Sequence, residues 1–309
     1  MISYLQAIIL AIVQGVTELF PISSLGHSVL IANLFNWHGL LKQETTARSG
    51  LLTFVVALHV ATAIALIIFY RQEWVRIIRG FFRSLQTKNL ARDNDAKLAW
   101  LLIAATIPAG LMGLIFEHSF QSIFAKPFAA VFFLFINGII LIKGDKLVRR
   151  AQVNRPRRRR ATAEAEVEGP EVSKTIRMVS DHLSFTRAVF IGIAQVGALL
   201  AGISRSGITM VAGVRSGLDH EDAARFSFLL ATPIILLAGL YKLPELLGHA
   251  GAGIRGQALV GAVIAGIAAY FTVRYLDKYF RTRSLRPFGI YCVCFAVFML
   301  LLGIYRGHF

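Results

Sequence analysis

Long apolar runs alternate with short basic segments along the chain. Apolar residues dominate six runs, at 51–70, 98–116, 128–142, 226–241, 258–273 and 288–305. A helix that crosses the hydrocarbon core of a bilayer needs about 20 residues. Each run is long enough or nearly so, and those at 128–142 and 226–241 are the marginal ones. The pattern predicts six transmembrane helices.

Two further apolar segments are broken by polar stretches, one from Gln14 to Ser28 and the other from Gln195 to Thr209. Glycine and serine interrupt both, and the first also contains Pro21. Proline and glycine disturb helical hydrogen bonding, and unpaired backbone at membrane depth is tolerated only where protein or a water-filled cavity satisfies it. The two stretches therefore predict re-entrant helix–break–helix hairpins rather than straight spans.

The two polar stretches resemble each other. A shift of 181 positions places Ala7, Gln14, Ile22, Ser23 and Gly26 on identical residues, Ala188, Gln195, Ile203, Ser204 and Gly207. Three predicted spans follow each stretch. We therefore interpret residues 1–309 as a single membrane domain made of repeat one, 1–148, and repeat two, 181–309, joined by a flexible basic linker, 149–180.

Charge predicts the orientation. The segments 71–97, 144–185 and 277–287 fall on one side of this layout and carry 21 Lys and Arg, whereas 36–50, 117–127, 243–256 and 306–309 carry 5. Basic loops stay in the cytoplasm, so both termini are expected outside. The hairpins then open from opposite sides, as in an inverted-topology repeat, whose site lies near the bilayer midplane. The predicted fold is an all-α integral membrane protein with six transmembrane helices and two re-entrant hairpins.

Composition supports a membrane protein. The 309 residues are 56% hydrophobic, more than one soluble core of this size needs, and the mean hydropathy is +0.62. The formal net charge of +16 is concentrated between the apolar runs. The arginine run 157–160 has no aromatic residues interleaved, as single-stranded nucleic-acid binding would favour. We expect membrane lipids as partners and no nucleic acid.

Two ionisable residues lie within the broken segments. Glu18 alone among the 17 acidic residues, and Arg205 among the 33 basic ones, occupy corresponding apolar surroundings in the two repeats. Ionisable groups in hydrocarbon are costly and face a partner, a cavity or a pathway. One interpretation is a buried ion pair that only locks the hairpins together. The neighbouring Ser23, Ser24, His27, Ser204, Ser206 and Thr209 supply more donors than one pair needs, which favours a functional site.

The two stretches offer complementary chemistry. Arg205 is flanked by serines and suits a phosphate group, because guanidinium matches phosphate oxygens and helix N-termini favour anions. The expected phosphate-binding side chains beside it are Gln14, Ser23, Ser204, Ser206 and Thr209. The catalytic candidates are Glu18, Ser24, His27 and Arg205.

The role of each catalytic candidate stays open at this point. Ser24 and His27 are both nucleophile candidates. Glu18 is a candidate general base, a group that orients His27, or a ligand for a divalent ion bound with the substrate's phosphates. His59 in the first span is expected to be structural, and Asn137 in the third to hydrogen-bond between helices.

Three stretches carry a resemblance to a known family. Glu18-Leu-Phe-Pro-Ile-Ser23-Ser24-Leu-Gly-His27 resembles the first signature of the bacterial undecaprenyl-diphosphate phosphatases, the bacitracin-resistance type. Gly202-Ile-Ser204-Arg205-Ser206-Gly-Ile-Thr209 resembles the second, and 226–233 is similar to the run that follows it. Departures are Gln14, where the family often has a glutamate, and Ala201, where it usually has a proline. The linker also looks longer and more basic than is usual.

The resemblance implies an enzyme of the bacterial plasma membrane that removes the terminal phosphate from a C55 polyprenyl diphosphate and so recycles the carrier lipid for cell-wall synthesis. It also implies a divalent cation, Mg²⁺ or Ca²⁺, with Glu18 as the candidate ligand, a homodimer, and resistance to bacitracin. The site is expected to open to the outer face.

Two alternatives remain at this stage. A flippase or transporter for polyprenyl phosphate uses the same plan of broken helices at the midplane, although a carrier needs no nucleophile such as Ser24. The second alternative is a related enzyme that acts on another lipid diphosphate.

Overall fold

The computed structural model describes residues 2–37, 50–87, 93–116, 126–153, 179, 183–248 and 252–306, with the side chains of 50–53 and 147–153 left aside. This part of the chain is helical and contains no strand, which confirms the predicted all-α class. The helices are α1 (Tyr4–Thr17), α2 (Ser24–Leu34), α3 (Gly50–Phe69), α4 (Arg71–Thr87), α5 (Asn94–Ile115), α6 (Pro127–Val153), α7 (Phe185–Val196), α8 (Arg205–Arg215), α9 (His220–Leu247), α10 (Arg255–Phe280) and α11 (Arg286–Tyr305).

Helices of membrane-spanning length account for the predicted spans. Within the described ranges, five helices are long and apolar enough to cross a bilayer, and a sixth span is obtained if α3 and α4 count as one bent pair. The two marginal runs belong to the longer helices α6 and α9. Helix α9 begins before its apolar run, within a polar segment. The side chain of Asp219 caps this first turn by accepting from the N–H of Asp222 at 2.8 Å.

Helix α4 departs from the predicted layout. Residues 71–97 are interpreted above as a connecting loop, yet Arg71–Thr87 forms a helix bent by 87° from the preceding one. Its buried residues, Glu73, Ile77, Gly80 and Ser84, recur at helical spacing. Their spacing marks one buried face, which a count of basic residues does not reveal.

Each polar stretch forms two short helices around a break. In the first, α1 ends before Glu18 and α2 begins at Ser24. In the second, α7 and a short 3₁₀ turn, Gly197–Leu199, precede α8. Gly202 has φ +110° there, and a Cβ on it would lie 2.5 Å from the carbonyl oxygen of Ala130. Glycine is therefore required at this break, whereas the neighbouring Ala201 takes the place of the family's proline.

The short helices interlock the two halves of the chain. Helix α1 packs on α10, and α7 packs on α5, so each short helix lies against a span of the other half. Glycines permit the approach, because a Cβ on Gly15 would lie 2.5 Å from Ala265 O and one on Gly192 would lie 2.3 Å from Ala105 O.

Hydrogen bonds also tie helix ends together. The side chain of Gln257 at the start of α10 donates to Ile2 O at 3.2 Å, and Arg306 after α11 donates to Leu34 O at 2.9 Å. These bonds bring the start of α1 to α10 and the end of α2 to α11. The inverted repeat and the re-entrant course of the hairpins stay predictions, as do the domain boundaries. Most of the linker 149–180 lies outside the described residues, apart from the end of α6 and residue 179.

Candidate functional site

The site is organised around the carboxylate of Glu18, which follows the last residue of α1 and is 7% exposed. Its Oε1 accepts from the guanidinium of Arg205, at the start of α8. Its Oε2 accepts from the hydroxyl of Ser24, the first residue of α2, and from Nε2 of Gln14 at 2.8 Å. The predicted pair of ionisable residues is therefore a direct contact, and it lies where the two breaks meet.

A fourth helix reaches the same carboxylate. Nε2 of His59, in α3, lies 3.2 Å from Glu18 Oε2, and Nδ1 lies 2.8 Å from the carbonyl oxygen of Val55. Both ring nitrogens face acceptors, and only a ring protonated at both can donate to both. In that state Glu18 lies between two cations, His59 and Arg205.

Sequence reasoning missed this contact. His59 was expected to be structural, since a lone histidine in an unbroken apolar run gives no sign of its partner.

Arg205 has more N–H donors than its two hydrogen bonds use. Nη2 bonds to Glu18 and Nη1 donates to Ala231 O at 3.0 Å. A guanidinium has five N–H donors, so three remain beyond these two bonds. Arg205 also opens α8, whose first N–H groups favour an anion.

Ser24 combines two properties of a nucleophile. Its hydroxyl donates to a carboxylate that is able to take the proton. It is also the first residue of α2, and the N–H groups at the start of a helix favour an anion.

His27 lies apart from this contact group. Its Nδ1 is 2.8 Å from Ser23 O, and its Nε2 is 2.9 Å from the hydroxyl of Tyr291. The ring stacks on Phe295 at a centroid distance of 5.0 Å and an interplanar angle of 5°. The structure thus pairs His27 with α11 and does not join it to Glu18 or Ser24.

The remaining predicted hydroxyls hold the two breaks together. Ser23 Oγ accepts from the N–H of Gly202 at 3.1 Å, and Ser206 Oγ donates to Phe20 O at 3.1 Å. Ser204 Oγ caps α8 by accepting from an N–H at 3.1 Å and lies 3.0 Å from Ser206 Oγ. Thr209 Oγ1 lies 2.6 Å from the hydroxyl of Ser227. The three serines are thus buried where the breaks meet, Thr209 is buried between α8 and α9, and none of the four hydroxyls hydrogen-bonds to the Glu18 carboxylate.

Asn137 joins the same junction, as a bond between helices. Its Nδ2 donates to Pro21 O at 3.0 Å, and its Oδ1 accepts from the N–H of Ser204 at 3.0 Å. One side chain of α6 therefore satisfies backbone groups of both breaks. This confirms the expected interhelical role of Asn137 and explains how irregular backbone is tolerated here.

The donor set does not fit a resident metal ion. The described ranges hold no group of three or more His, Cys, Asp or Glu side chains that could hold a metal ion together. Both oxygens of Glu18 accept from protein donors, and two of these donors belong to basic side chains. Divalent cations prefer several oxygen ligands, and Gln14 Oε1 is the one buried acceptor of this group left without a hydrogen-bond partner.

Comparison with known proteins gives the family. The model for the bacitracin resistance protein BacA matches residues 7–298. Undecaprenyl-diphosphatase 2 of Frankia alni is 50% identical over 94% of this chain and 95% of its own length. Undecaprenyl-diphosphatase of Mycolicibacterium paratuberculosis is also 50% identical, over 94% of both chains, and undecaprenyl-diphosphatase 2 of Burkholderia thailandensis is 44% identical over 95% of this chain. The chain belongs to the BacA family of bacitracin resistance proteins.

Proposed function

We propose that this protein hydrolyses undecaprenyl diphosphate to the monophosphate and phosphate, and so recycles the carrier lipid for cell-wall synthesis. The observation that carries the proposal is the contact series Ser24, Glu18 and Arg205. It joins a hydroxyl nucleophile, a carboxylate base and a phosphate-binding cation. The names of the relatives supply the substrate, which the geometry alone does not specify.

The charge of the site suits a diphosphate. Arg205 places one cation beside the Glu18 carboxylate, and His59 is a second cation when both of its ring nitrogens carry a proton. The N-termini of α2 and α8 add partial positive charge. Low-dielectric surroundings strengthen the attraction of these groups for an anion. Much of the catalysis of phosphoryl transfer is positioning and charge stabilisation of this kind.

The reaction runs in two balanced steps. Ser24 Oγ attacks the outer phosphorus and its proton passes to Glu18 Oε2, while the bond from that phosphorus to the bridging oxygen breaks. Polyprenyl monophosphate leaves with the electron pair of that bond. A water molecule then attacks the phosphorus of the phosphoserine and the bond from that phosphorus to Ser24 Oγ breaks. Glu18 returns its proton to Ser24 Oγ, which restores both the hydroxyl and the carboxylate, and inorganic phosphate leaves with the oxygen and protons of the water. Arg205 binds the phosphate oxygens throughout.

The geometry supports Ser24 over His27 as the nucleophile. Ser24 already donates to the proposed base, whereas both ring nitrogens of His27 face other groups and its ring is stacked on Phe295. We assign His27 the role of fixing the break, since its Nδ1 bonds to the backbone of Ser23.

An apolar groove next to the site suits the isoprenoid tail. A cavity of about 210 Å³ lies between α3 and α9, lined by Val56, Val60, Leu236 and other apolar side chains. His59 lies between the two valines in α3. Ala231, which accepts from Arg205, precedes Leu236 by five residues, about 7.5 Å along the helix axis. The groove therefore begins less than two helical turns from the partner of Arg205, and the rest of the tail would extend into lipid.

The membrane placement follows from the same proposal. The protein is a multi-pass membrane protein, and we place it in the bacterial plasma membrane with both termini outside and the site opening to the outer face. The excess of basic residues on the opposite side supports this orientation. A homodimer and a divalent-cation requirement, with Mg²⁺ or Ca²⁺ arriving together with the diphosphate, also remain proposals.

Phosphate release tests the proposed function. Protein purified in detergent should liberate phosphate from undecaprenyl diphosphate, and the rate should scale with enzyme concentration. Reconstituted vesicles that move polyprenyl phosphate across the bilayer without releasing phosphate from the diphosphate would instead support the flippase alternative. The family names do not favour that outcome, and a carrier has no use for a serine placed on a carboxylate.

A further inference from the structure

Helix α4 has the geometry of a helix lying in the membrane surface. It follows the 20-residue helix α3 after a bend of 87°. If α3 crosses the bilayer, α4 runs along its surface. The elbow is anchored, because Tyr70 at the bend donates to Asp277 Oδ1 at 3.0 Å and Arg225 donates to the same oxygen at 3.3 Å.

The side chains of α4 divide into three sectors around its axis, given about 100° per residue. One sector is buried against the protein and contains Glu73, Ile77, Gly80 and Ser84. A second contains large exposed apolar side chains, Val75, Ile78, Phe82 and Leu85, which are 46%, 48%, 59% and 52% exposed. A third, on the other side of the buried sector, contains Arg76, Arg79 and Arg83. An amphipathic helix with one apolar and one basic side is typical of the boundary between headgroups and acyl chains.

Contacts with α5 hold α4 in this orientation. Arg76 pairs with Asp95 at 3.1 Å and Arg83 pairs with Asp93 at 2.7 Å. A Cβ on Gly80 would lie 2.6 Å from the backbone nitrogen of Ala96, so the two helices are in close contact. The three sectors are therefore fixed relative to the spans.

Arg79 is the arginine of the basic sector that these pairs leave over, whereas Arg71, the first residue of α4, donates to Ile68 O at 3.4 Å. Arg79 lies between Arg76 and Arg83 in the basic sector and is exposed. It makes no ion pair with any residue in the described ranges. Two arginines thus bind the acidic start of α5, and the third presents a guanidinium beside an apolar surface. A phosphodiester headgroup is the anion that a membrane supplies at this position.

We propose that the α4 surface, formed by Arg79 together with Val75, Ile78, Phe82 and Leu85, binds anionic phospholipid. The apolar side chains lie among the acyl chains and Arg79 binds the headgroup phosphate. This site is separate from the reaction proposed above and does not depend on it. A single arginine near an anionic surface should favour anionic over zwitterionic lipid by about fivefold.

A built-in fluorophore permits a direct test. The chain has three tryptophans, and Trp74 is in α4, so the full-length double variant W37F and W100F reports on this helix alone. It is reconstituted into two vesicle preparations of the same composition, equal parts phosphatidylglycerol and phosphatidylcholine. Brominated acyl chains, which quench tryptophan, are carried by the phosphatidylglycerol in one preparation and by the phosphatidylcholine in the other. Surface charge is thus identical in both.

The expected result is stronger quenching from brominated phosphatidylglycerol, corresponding to about a fivefold enrichment of that lipid around α4. Arg79→Gln should remove the enrichment while quenching by both lipids persists. Gln86→Ala, which changes an uncharged exposed residue of the same sector, should leave the enrichment intact. Equal quenching in the two preparations with Arg79 present, enrichment that survives Arg79→Gln, or no quenching by either lipid would each overturn the proposal.

Discussion

Replacing Ser24 by alanine separates the proposed nucleophile from the structural serine beside it. Ser24 donates to the Glu18 carboxylate, whereas Ser23 Oγ accepts from the N–H groups of Gly26 at 3.3 Å and Gly202 at 3.1 Å. Neighbouring serines thus have different partners. The account expects Ser24→Ala to remove the reaction and Ser23→Ala to weaken the fold.

The magnitudes follow from these contacts. Without Ser24 the site keeps Arg205 and the helix N-termini but has no protein oxygen to attack phosphorus, so kcat should fall at least about 10³-fold, or about 4 kcal/mol. Ser23→Ala removes a helix cap, about 1 kcal/mol, and leaves the buried N–H of Gly202 unpaired, about 1–3 kcal/mol. Its kcat should stay within about tenfold of the wild type at temperatures where it is folded.

The assay is phosphate release from undecaprenyl diphosphate in detergent, with thermal unfolding and size-exclusion profiles measured on the same samples. Ser24→Ala should unfold at nearly the wild-type temperature and still bind substrate competitively. A folded Ser24→Ala that keeps more than a tenth of the wild-type kcat would refute the nucleophile assignment. The assignment would also be refuted if Ser23→Ala were folded and had as little activity as Ser24→Ala.

Substitutions at four further positions test other parts of the site, with a control substitution at a fifth. Arg205→Lys keeps the charge but loses the planar fork, so kcat/KM for phosphate release should fall about 100-fold. His59→Leu removes a hydrogen bond to a charged group and should lower kcat/KM by about 10- to 100-fold, and His59→Gln, which keeps a donor, should recover part of the loss. Gly202→Ala should lower the free energy of unfolding by at least about 2 kcal/mol, measured by thermal and denaturant unfolding in detergent, because φ is +110° and a carbonyl oxygen lies 2.5 Å from the new Cβ. Val56→Trp should fill the apolar groove and raise KM for the C55 substrate, leaving a C15 diphosphate unaffected, while Ile64→Trp, outside the groove, should change neither.

The results that contradict these four expectations are distinct. A wild-type kcat/KM in Arg205→Lys would show that the reaction does not need a bidentate contact from this residue. Equal rates in His59→Leu and His59→Gln would show that the hydrogen bond to Glu18 is not what His59 contributes. An unchanged unfolding transition in Gly202→Ala would mean that the break tolerates a side chain. If Val56→Trp changed KM equally for the C55 and C15 diphosphates, the groove would not be the binding site of the tail.

Sequence alone identified the central pair because burying charge is costly. Glu18 and Arg205 stand out in apolar segments, and the structure joins them. Their shared surroundings also led to Ser24. The helical class followed in the same way, since runs of about 20 apolar residues have few other stable forms.

Other features depend on tertiary contacts that no local pattern contains. His59 is 41 positions from Glu18 in the sequence, and an apolar run around it indicates only a buried helix. A hydroxyl that caps a helix and one that binds phosphate have the same local sequence signature. The sequence therefore does not reveal that Ser23 Oγ accepts from Gly202 in the other break, or that Ser204 Oγ caps its own helix. Helix α4 was interpreted as a loop because its basic residues contribute to the charge that is typical of a cytoplasmic loop. Its buried residues differ from a loop only in their helical spacing.

A trapped phosphoenzyme tests the central claim most directly. Substrate labelled in its terminal phosphate is mixed with enzyme, the reaction is quenched during turnover, and the label is mapped by mass spectrometry under conditions that preserve both phosphoserine and phosphohistidine. The account predicts label on Ser24, with none in Ser24→Ala. Label on His27 would contradict it. So would phosphate release, with oxygen from water incorporated into the phosphate, when no labelled protein is found at any time point.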